Sequence, residues 1–241
     1  MTTNLLRLMF PMLIGMFFSC KKNNPVAIPT SSLTIANVLQ DSVSVMFNFD
    51  SRQSLKYFST ADTIGAYNAH IYDRLPGQVP LVGFMYPDSL HAIYNHIIQI
   101  GPNSIHTLFL GGGLTKIDSL YTTDVIPRYP PQDSLMGVRF VNFFGNKSPV
   151  KVIVQTNPQK VIVNKLNYGA ATEFQPLSIK RTLQPSDSYV FEFRDLATNA
   201  LIRVFTLQAI ATRQSKSITL VLGGRAENPV VFVINPYFYG A

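Results

Sequence analysis

The sequence predicts an all-β protein made of two tandem antiparallel β-sandwich modules. Two observations carry this. The first is period-two alternation. Val43, Val45 and Phe47 alternate with Ser42, Ser44 and Met46; Val150, Val152 and Val154 with Lys151 and Ile153; Tyr189, Phe191 and Phe193 with Val190, Glu192 and Arg194; Ile218, Leu220 and Leu222 with Thr219 and Val221. That spacing puts one face of a strand on a core and the other towards water, so Glu192 is expected on the solvent side. Long helical periodicity is nearly absent. His91 to Gln99 suits either state, and its β-rich surroundings decide for strand.

The second observation is a repeat. Leu33-Thr-Ile-Ala-Asn37-Val resembles Val138-Arg-Phe-Val-Asn142-Phe, and Ile105-His-Thr107-Leu-Phe-Leu-Gly-Gly112 resembles Ser217-Ile-Thr219-Leu-Val-Leu-Gly-Gly224. The asparagines lie 105 residues apart and the threonines 112. A nearly constant offset argues for two copies of one unit. The glycines, Gly111 to Gly113 and Gly223 to Gly224, are expected to end the last strand of each copy. No helix or Gly-Lys-Ser/Thr element follows Gly113, so a phosphate loop is not indicated.

In chain order, residues 1–19 read as a lipoprotein signal peptide. Arg7 precedes a run, Leu8 to Phe18, that is too short to span a bilayer, and Cys20, the chain's one cysteine, follows Ser19. Cys20 is the expected lipidation site and the anchor to the membrane. Lys21 after it resembles lipoproteins passed to the outer membrane, which places the expected address on that membrane's periplasmic face, with the cell surface as the alternative. Residues 20–32, rich in Pro, Asn, Ser and Thr, form a tether. The first module covers 33–125, a Pro-rich linker 126–135, and the second module 136–241. The apolar tail from Asn228 would be a sticky edge if bare, so it is expected to be paired.

The stretch Gly137-Val-Arg-Phe-Val-Asn142, the loop with Pro149, Val150 to Val154, Leu166-Asn-Tyr168-Gly169, the Tyr-Val-Phe-Glu-Phe strand and Ile-Thr-Leu-Val-Leu-Gly-Gly resemble a bacterial family, domain of unknown function four-three-nine-seven. The resemblance covers about 136–225, with a fainter echo over 33–113. It implies an immunoglobulin-like sandwich in an exported protein and brings no activity with it. About seven strands in 90 to 100 residues is the usual size of such a sandwich.

Composition narrows function. Net charge is +7 with 14% charged residues, and the basic residues are scattered. With no basic stripe, nucleic acid is not an expected partner. Without a second cysteine no disulfide forms within the chain. The four histidines, His70, His91, His96 and His106, show no metal-ligand spacing, and Glu173, Glu192 and Glu227 no pairing. No G-x-S-x-G elbow occurs. Neither a catalytic residue nor a cofactor is expected.

Five segments match Asp, then Ser or Thr, then an aliphatic residue, which resembles an O-glycosylation acceptor. They point to Ser42, Thr63, Ser89, Ser119 and Ser134. Asp-Ser is also a common turn opener through its own side chain. Eleven tyrosines and no tryptophan are present, and Tyr67, Tyr72, Tyr86, Tyr94, Tyr237 and Tyr239 are candidates for stacking on a sugar or a partner. The expected function is a non-enzymatic envelope module that binds a glycan, a peptide or another envelope protein. A structural spacer is the alternative and a hydrolase a more distant one.

Overall fold

The computed structural model describes residues 30–50, 62–88, 90–155, 159–179, 188–209 and 211–237; Cys20, Ser89 and Tyr239 lie outside them. In the N-terminal part the strands are β1 (Ser31–Asn37), β2 (Val45–Asn48), β3 (Thr63–Ile64), β4 (Asn68–Arg74), β5 (Gly77–Met85), β6 (Ala92–Ile100), β7 (Ile105–Gly113) and β8 (Lys116–Thr123). After a 3-10 turn at Pro131–Asp133 come β9 (Leu135–Asn142), β10 (Val150–Val154), β11 (Lys160–Leu166), β12 (Ala170–Ala171) and β13 (Gln175–Ser178). Then follow β14 (Ser188–Asp195), β15 (Leu201–Gln208), β16 (Ser217–Arg225) and β17 (Asn228–Tyr237). The fold is all-β, as expected. Among the described residues no helix is long and apolar enough to cross a membrane.

The strands form four sheets: β4-β1-β7-β8, β3-β2-β5-β6, β9-β16-β17 with β12 and β13 on the free side of β9, and β11-β10-β14-β15. The two halves use one plan. The first strand of each lies parallel to its penultimate long strand, with Asn37 opposite Leu110 and Asn142 opposite Leu222. This order departs from the ABED and CFG sheets of an immunoglobulin domain, because the opening strand closes beside the penultimate strand in parallel instead of at an antiparallel edge.

Burial shows why the sheets stack. Leu33, Ile35, Leu108 and Leu110 meet Val45, Phe47, Leu81 and Ile98 across the first pair of sheets. Met136, Val138, Phe140 and Leu220 meet Val150, Val152, Phe191 and Phe193 across the second pair. The opposite faces of β1, β7, β9 and β16 also carry apolar side chains, and Ala36, Val38, Phe109, Val141, Phe143, Val221 and Ile234 form a third core between the halves. Four of the strands are therefore buried on both faces. Glycine makes that close approach possible. A Cβ on Gly111 would stand 2.0 Å from the Phe143 ring, and one on Gly223 would stand 2.6 Å from Val38. The glycine segments do not close the last strand of each half, as the sequence suggested. Gly112 (φ 76°) and Gly224 (φ 84°) sit where hairpins lead on to β8 and β17. The apolar tail is paired along β16, with Val231 and Val233 packed on one core and Phe232 and Ile234 on another.

Two buried asparagines hold the strand ends. Asn37 Nδ2 donates to the carbonyls of Val43 (2.7 Å) and Ile64 (3.1 Å), and its Oδ1 accepts from Leu39 N–H. Asn142 Nδ2 donates to Ser148 (3.0 Å) and Leu166 (3.1 Å), and its Oδ1 accepts from Phe144 N–H. Each therefore ties the end of a β1-type strand to the turn after it and to the strand beyond. The next turn repeats too: Tyr67 (φ 55°) and Gly169 (φ 67°) each donate N–H to the asparagine's own carbonyl. Replacing Asn142 by Ala strands two carbonyls and one N–H in a dry site, so Asn142→Ala is expected to lower the unfolding free energy by about 2 kcal/mol in urea titrations. Asn142→Asp, which keeps the size and loses the donors, should not restore it.

Candidate functional site

The tips of three turns meet at one end of the stack. The β1–β2 turn brings Gln40, Asp41 and Ser42, the β3–β4 turn brings Tyr67, and the β16–β17 hairpin brings Arg225, Glu227 and Asn228. Together they line an open cleft of about 370 Å³. Ser42 and Tyr67 both take left-handed backbone conformations (φ 55° each), and their hydroxyls lie 3.1 Å apart. The Tyr67 ring leans on Phe232, with centroids 6.1 Å apart.

Asp41 is the hinge of this arrangement. Its Oδ2 accepts Leu114 N–H at 2.7 Å, and its Oδ1 accepts Arg225 Nη2 at 2.9 Å. Arg225 Nε also donates to the Gln40 carbonyl at 3.3 Å. The backbone hydrogen bond from Leu114, followed by Arg225, holds the Asp41 carboxyl below its usual range. Asp41 therefore stays ionised at neutral pH and largely neutralised by its partner. Glu227 and Asn228, both exposed, add a carboxylate and an amide to the rim. The cleft offers hydroxyls, two amides, two carboxylates, a guanidinium and one aromatic ring. It has no nucleophile–base pair.

A second concavity, about 410 Å³, lies by Phe144, Asn146, Asp195, Thr198, Leu201 and Pro229. Asp195 is consumed by its own turn: Oδ1 accepts the N–H groups of Ala197 and Thr198, and Oδ2 accepts Ser148 Oγ. Those bonds, led by Thr198 N–H, hold its carboxyl below the usual range.

Other candidates separate. Glu192 does not face water. It is buried on the outer side of its sheet, where Gln155 and Arg194 cover it. Those two hydrogen bonds, Gln155 first, lower its pKa. Glu173 and Glu227 are exposed on other segments, so the three glutamates do not converge.

The histidines are likewise dispersed. His91 contacts Asp88 at 2.7 Å, His70 faces Asp62 at 3.6 Å, and His96 leans on Tyr94. Among the described residues no group of three or more His, Cys, Asp or Glu is placed to hold a metal ion.

His106 is buried, and its Nε2 lies 2.7 Å from Ser104 Oγ. That distance invites a hydrolase reading. Ser104 Oγ, however, donates to the Gly101 carbonyl (2.6 Å), and Nε2 accepts Gly101 N–H (3.3 Å). Hydroxyl proton and ring lone pair are both engaged in closing the β6–β7 turn, which leaves neither for substrate. Desolvation lowers the His106 pKa.

Of the acceptor residues, Ser42 lies in the cleft, Thr63 is exposed on β3, Ser119 is exposed on β8, and Ser134 is half-buried in a left-handed turn (φ 50°). Among the tyrosines, Tyr72 and Tyr94 are buried in the first core, Tyr86 is exposed, and Tyr237 is the last residue of β17. Of the described candidates, Tyr67 joins the cleft. Its neighbours come from positions around 40, 67 and 225, so no local motif could have shown them together.

No protein-family model and no curated protein matches the chain. Among solved structures it is similar to family 41 carbohydrate-binding modules from streptococcal virulence factors, whose description speaks of α-glucan recognition, at 12% identity over 84% of this chain and 96% of that one, with a TM-score of 0.25. It is also similar to a DUF3823 family protein from Bacteroides ovatus (10% identity, 75% and 100% covered, TM-score 0.22) and to an adhesin candidate from the same species (12%, 83% and 91%, TM-score 0.24). At such scores these neighbours assign no function. The resemblance of 136–225 to family four-three-nine-seven rests on its strand-and-turn pattern alone.

Proposed function

We propose that this chain is a non-enzymatic envelope protein that binds a short, hydroxyl-rich glycan in the Asp41–Tyr67–Arg225 cleft. The observation that carries this reading is the cleft's chemistry: an aromatic ring flanked by paired hydroxyls, with a mutually neutralised carboxylate and guanidinium beside an amide and a second carboxylate. Such a set gives donors and acceptors in fixed directions, with the Glu227 carboxylate the one lining charge that no other lining residue offsets, which suits a neutral polyol better than an anion. Lipid on Cys20 holds the protein to the outer membrane, on the periplasmic face. Residues 33–125 and 136–241 are its two modules. Thr63 and Ser119, exposed and away from the cleft, are the O-glycosylation acceptors that leave the cleft clear; sugar on Ser42 would fill it.

A glycan array followed by calorimetry on the mature protein tests this. A saturable ligand is expected, and Tyr67→Ala should weaken it roughly tenfold or more, about 1.4 kcal/mol. A stiff spacer is the second reading, favoured by the buried lock between the halves (Arg139 with Asp124). No glycan bound at millimolar concentration would select it. The anchor is tested separately by feeding cells a fatty-acid analogue, whose label Cys20→Ala should abolish.

A further inference from the structure

An edge strand left with unpaired N–H and C=O groups is a template for another strand, and folded proteins blunt it with charge, proline or shortness. Nearly every edge here is blunted. β4 carries Asp73 and Arg74, β8 Lys116 and Asp118, β11 Lys160 and Lys165, β15 Arg203, and β17 Pro229. β3 and β12 are two residues long, and β13 is short and holds Pro176. The exception among the described edges is β6, Ala-Ile-Tyr-Asn-His-Ile-Ile-Gln-Ile, nine residues without Lys, Arg, Asp, Glu or Pro. It pairs β5 on one side, and among the described residues no strand lies on its other side. Asn95, His96 and Gln99 are exposed and Ile97 is 69% exposed, while the Gln99 carbonyl already accepts the Tyr121 hydroxyl at 2.8 Å.

The geometry points to a second copy of this chain as the occupant of that edge, with β6 pairing antiparallel to β6 across a two-fold axis. Self-pairing sets the same residues against one another, so any fixed charge in the strand would meet its like. β6 holds none. In the full-overlap register, centred on His96, Asn95 of one copy stands opposite Ile97 of the other, and the two β3-β2-β5-β6 sheets become one. Main-chain hydrogen bonds supply the attraction, and Ile97 gains a cross-strand neighbour, Asn95 of the other copy, along one flank. The inference does not depend on the cleft or its ligand.

Sedimentation velocity on the mature protein in mild detergent tests it. At roughly 100 µM the mature wild type is expected near twice the mass of one mature chain, after the bound detergent is subtracted. The N95K/I97K variant, which sets Lys against Lys on both sides of the axis, should associate roughly tenfold or more weakly while keeping the wild-type melting temperature. N95E/I97E alone should be monomeric as well, and an equimolar mixture of the two variants should pair. A monomeric wild type, a lysine variant that still dimerises, or a mixture that stays monomeric would overturn the proposal.

Discussion

Arg139→Ala is expected to lower the stability of the folded chain by about 4 kcal/mol and its melting temperature by roughly 10 °C. Arg139 sits in the middle of β9, only 3% exposed, on the face turned towards the other half. Its Nη1 donates to Asp124 Oδ1 at 2.6 Å and its Nη2 to Asp124 Oδ2 at 3.0 Å, a bidentate pair with a carboxylate that is itself 6% exposed. Nε donates to Thr219 Oγ1 at 2.7 Å. Thr107 and Thr122 each donate a hydroxyl to Asp124, so both ions keep nearly full coordination after leaving water. Deleting the guanidinium leaves a buried carboxylate with hydroxyls alone, and the uncompensated charge is what destabilises. Removing both ions together is the control. Arg139→Met combined with Asp124→Leu removes both ions at similar volume and should recover most of the loss. A single variant that melts like the wild type would mean that the pair is not buried in solution.

Thr107 and Thr219 were visible in the sequence as matching positions of a repeat, and so were Asn37 and Asn142. Their roles were not visible. The repeat reveals which positions share a backbone environment; it does not reveal what they face. Asn37 and Asn142 do the same work in both halves, because each serves the turn that directly follows it. Thr107 and Thr219 instead converge on one arginine, present in β9 and replaced by Thr34 in β1. That asymmetry belongs to the contact between the halves, which no single half encodes.

Alternation found the strands and misjudged what covers them. β1, β7, β9 and β16 are buried on both faces, and their sequences, such as Gly137-Val-Arg-Phe-Val-Asn142, read as nearly continuous apolar runs, the pattern of strands covered twice. That departure from strict period two was the available signal for a third core. Glu192 fails for a related reason. It does point away from the sandwich core, but outward is not the same as wet when Gln155 and Arg194 lie over it. The cleft was least legible of all. Its ring, charges and hydroxyls come from three turns, and only the stacking of the halves brings Arg225 to Asp41.

That stacking can be broken with one methine and two methyl groups. Gly111→Val is expected to destabilise the chain by about 3 kcal/mol, because its Cβ would lie 2.0 Å from Cδ1 and 2.7 Å from Cε1 of Phe143, well inside contact distance. Phe143 is fully buried between Phe109 and Tyr168, so the ring has no vacant space to enter and the sheets must part instead. Overpacking predicts its own remedy. Phe143→Ala alone should destabilise by leaving a cavity, yet Gly111→Val with Phe143→Ala should be more stable than the sum of the two losses allows, since the new side chain fills part of the space the ring vacates. The matching pair on the other side of the interface, Gly223 against Val38 at 2.6 Å, should couple in the same way and more weakly, Val being smaller than Phe. Denaturant titrations of both cycles measure this. Strict additivity at Gly111 and Phe143 would show that the two residues do not meet, and that the halves are not packed face to face in solution.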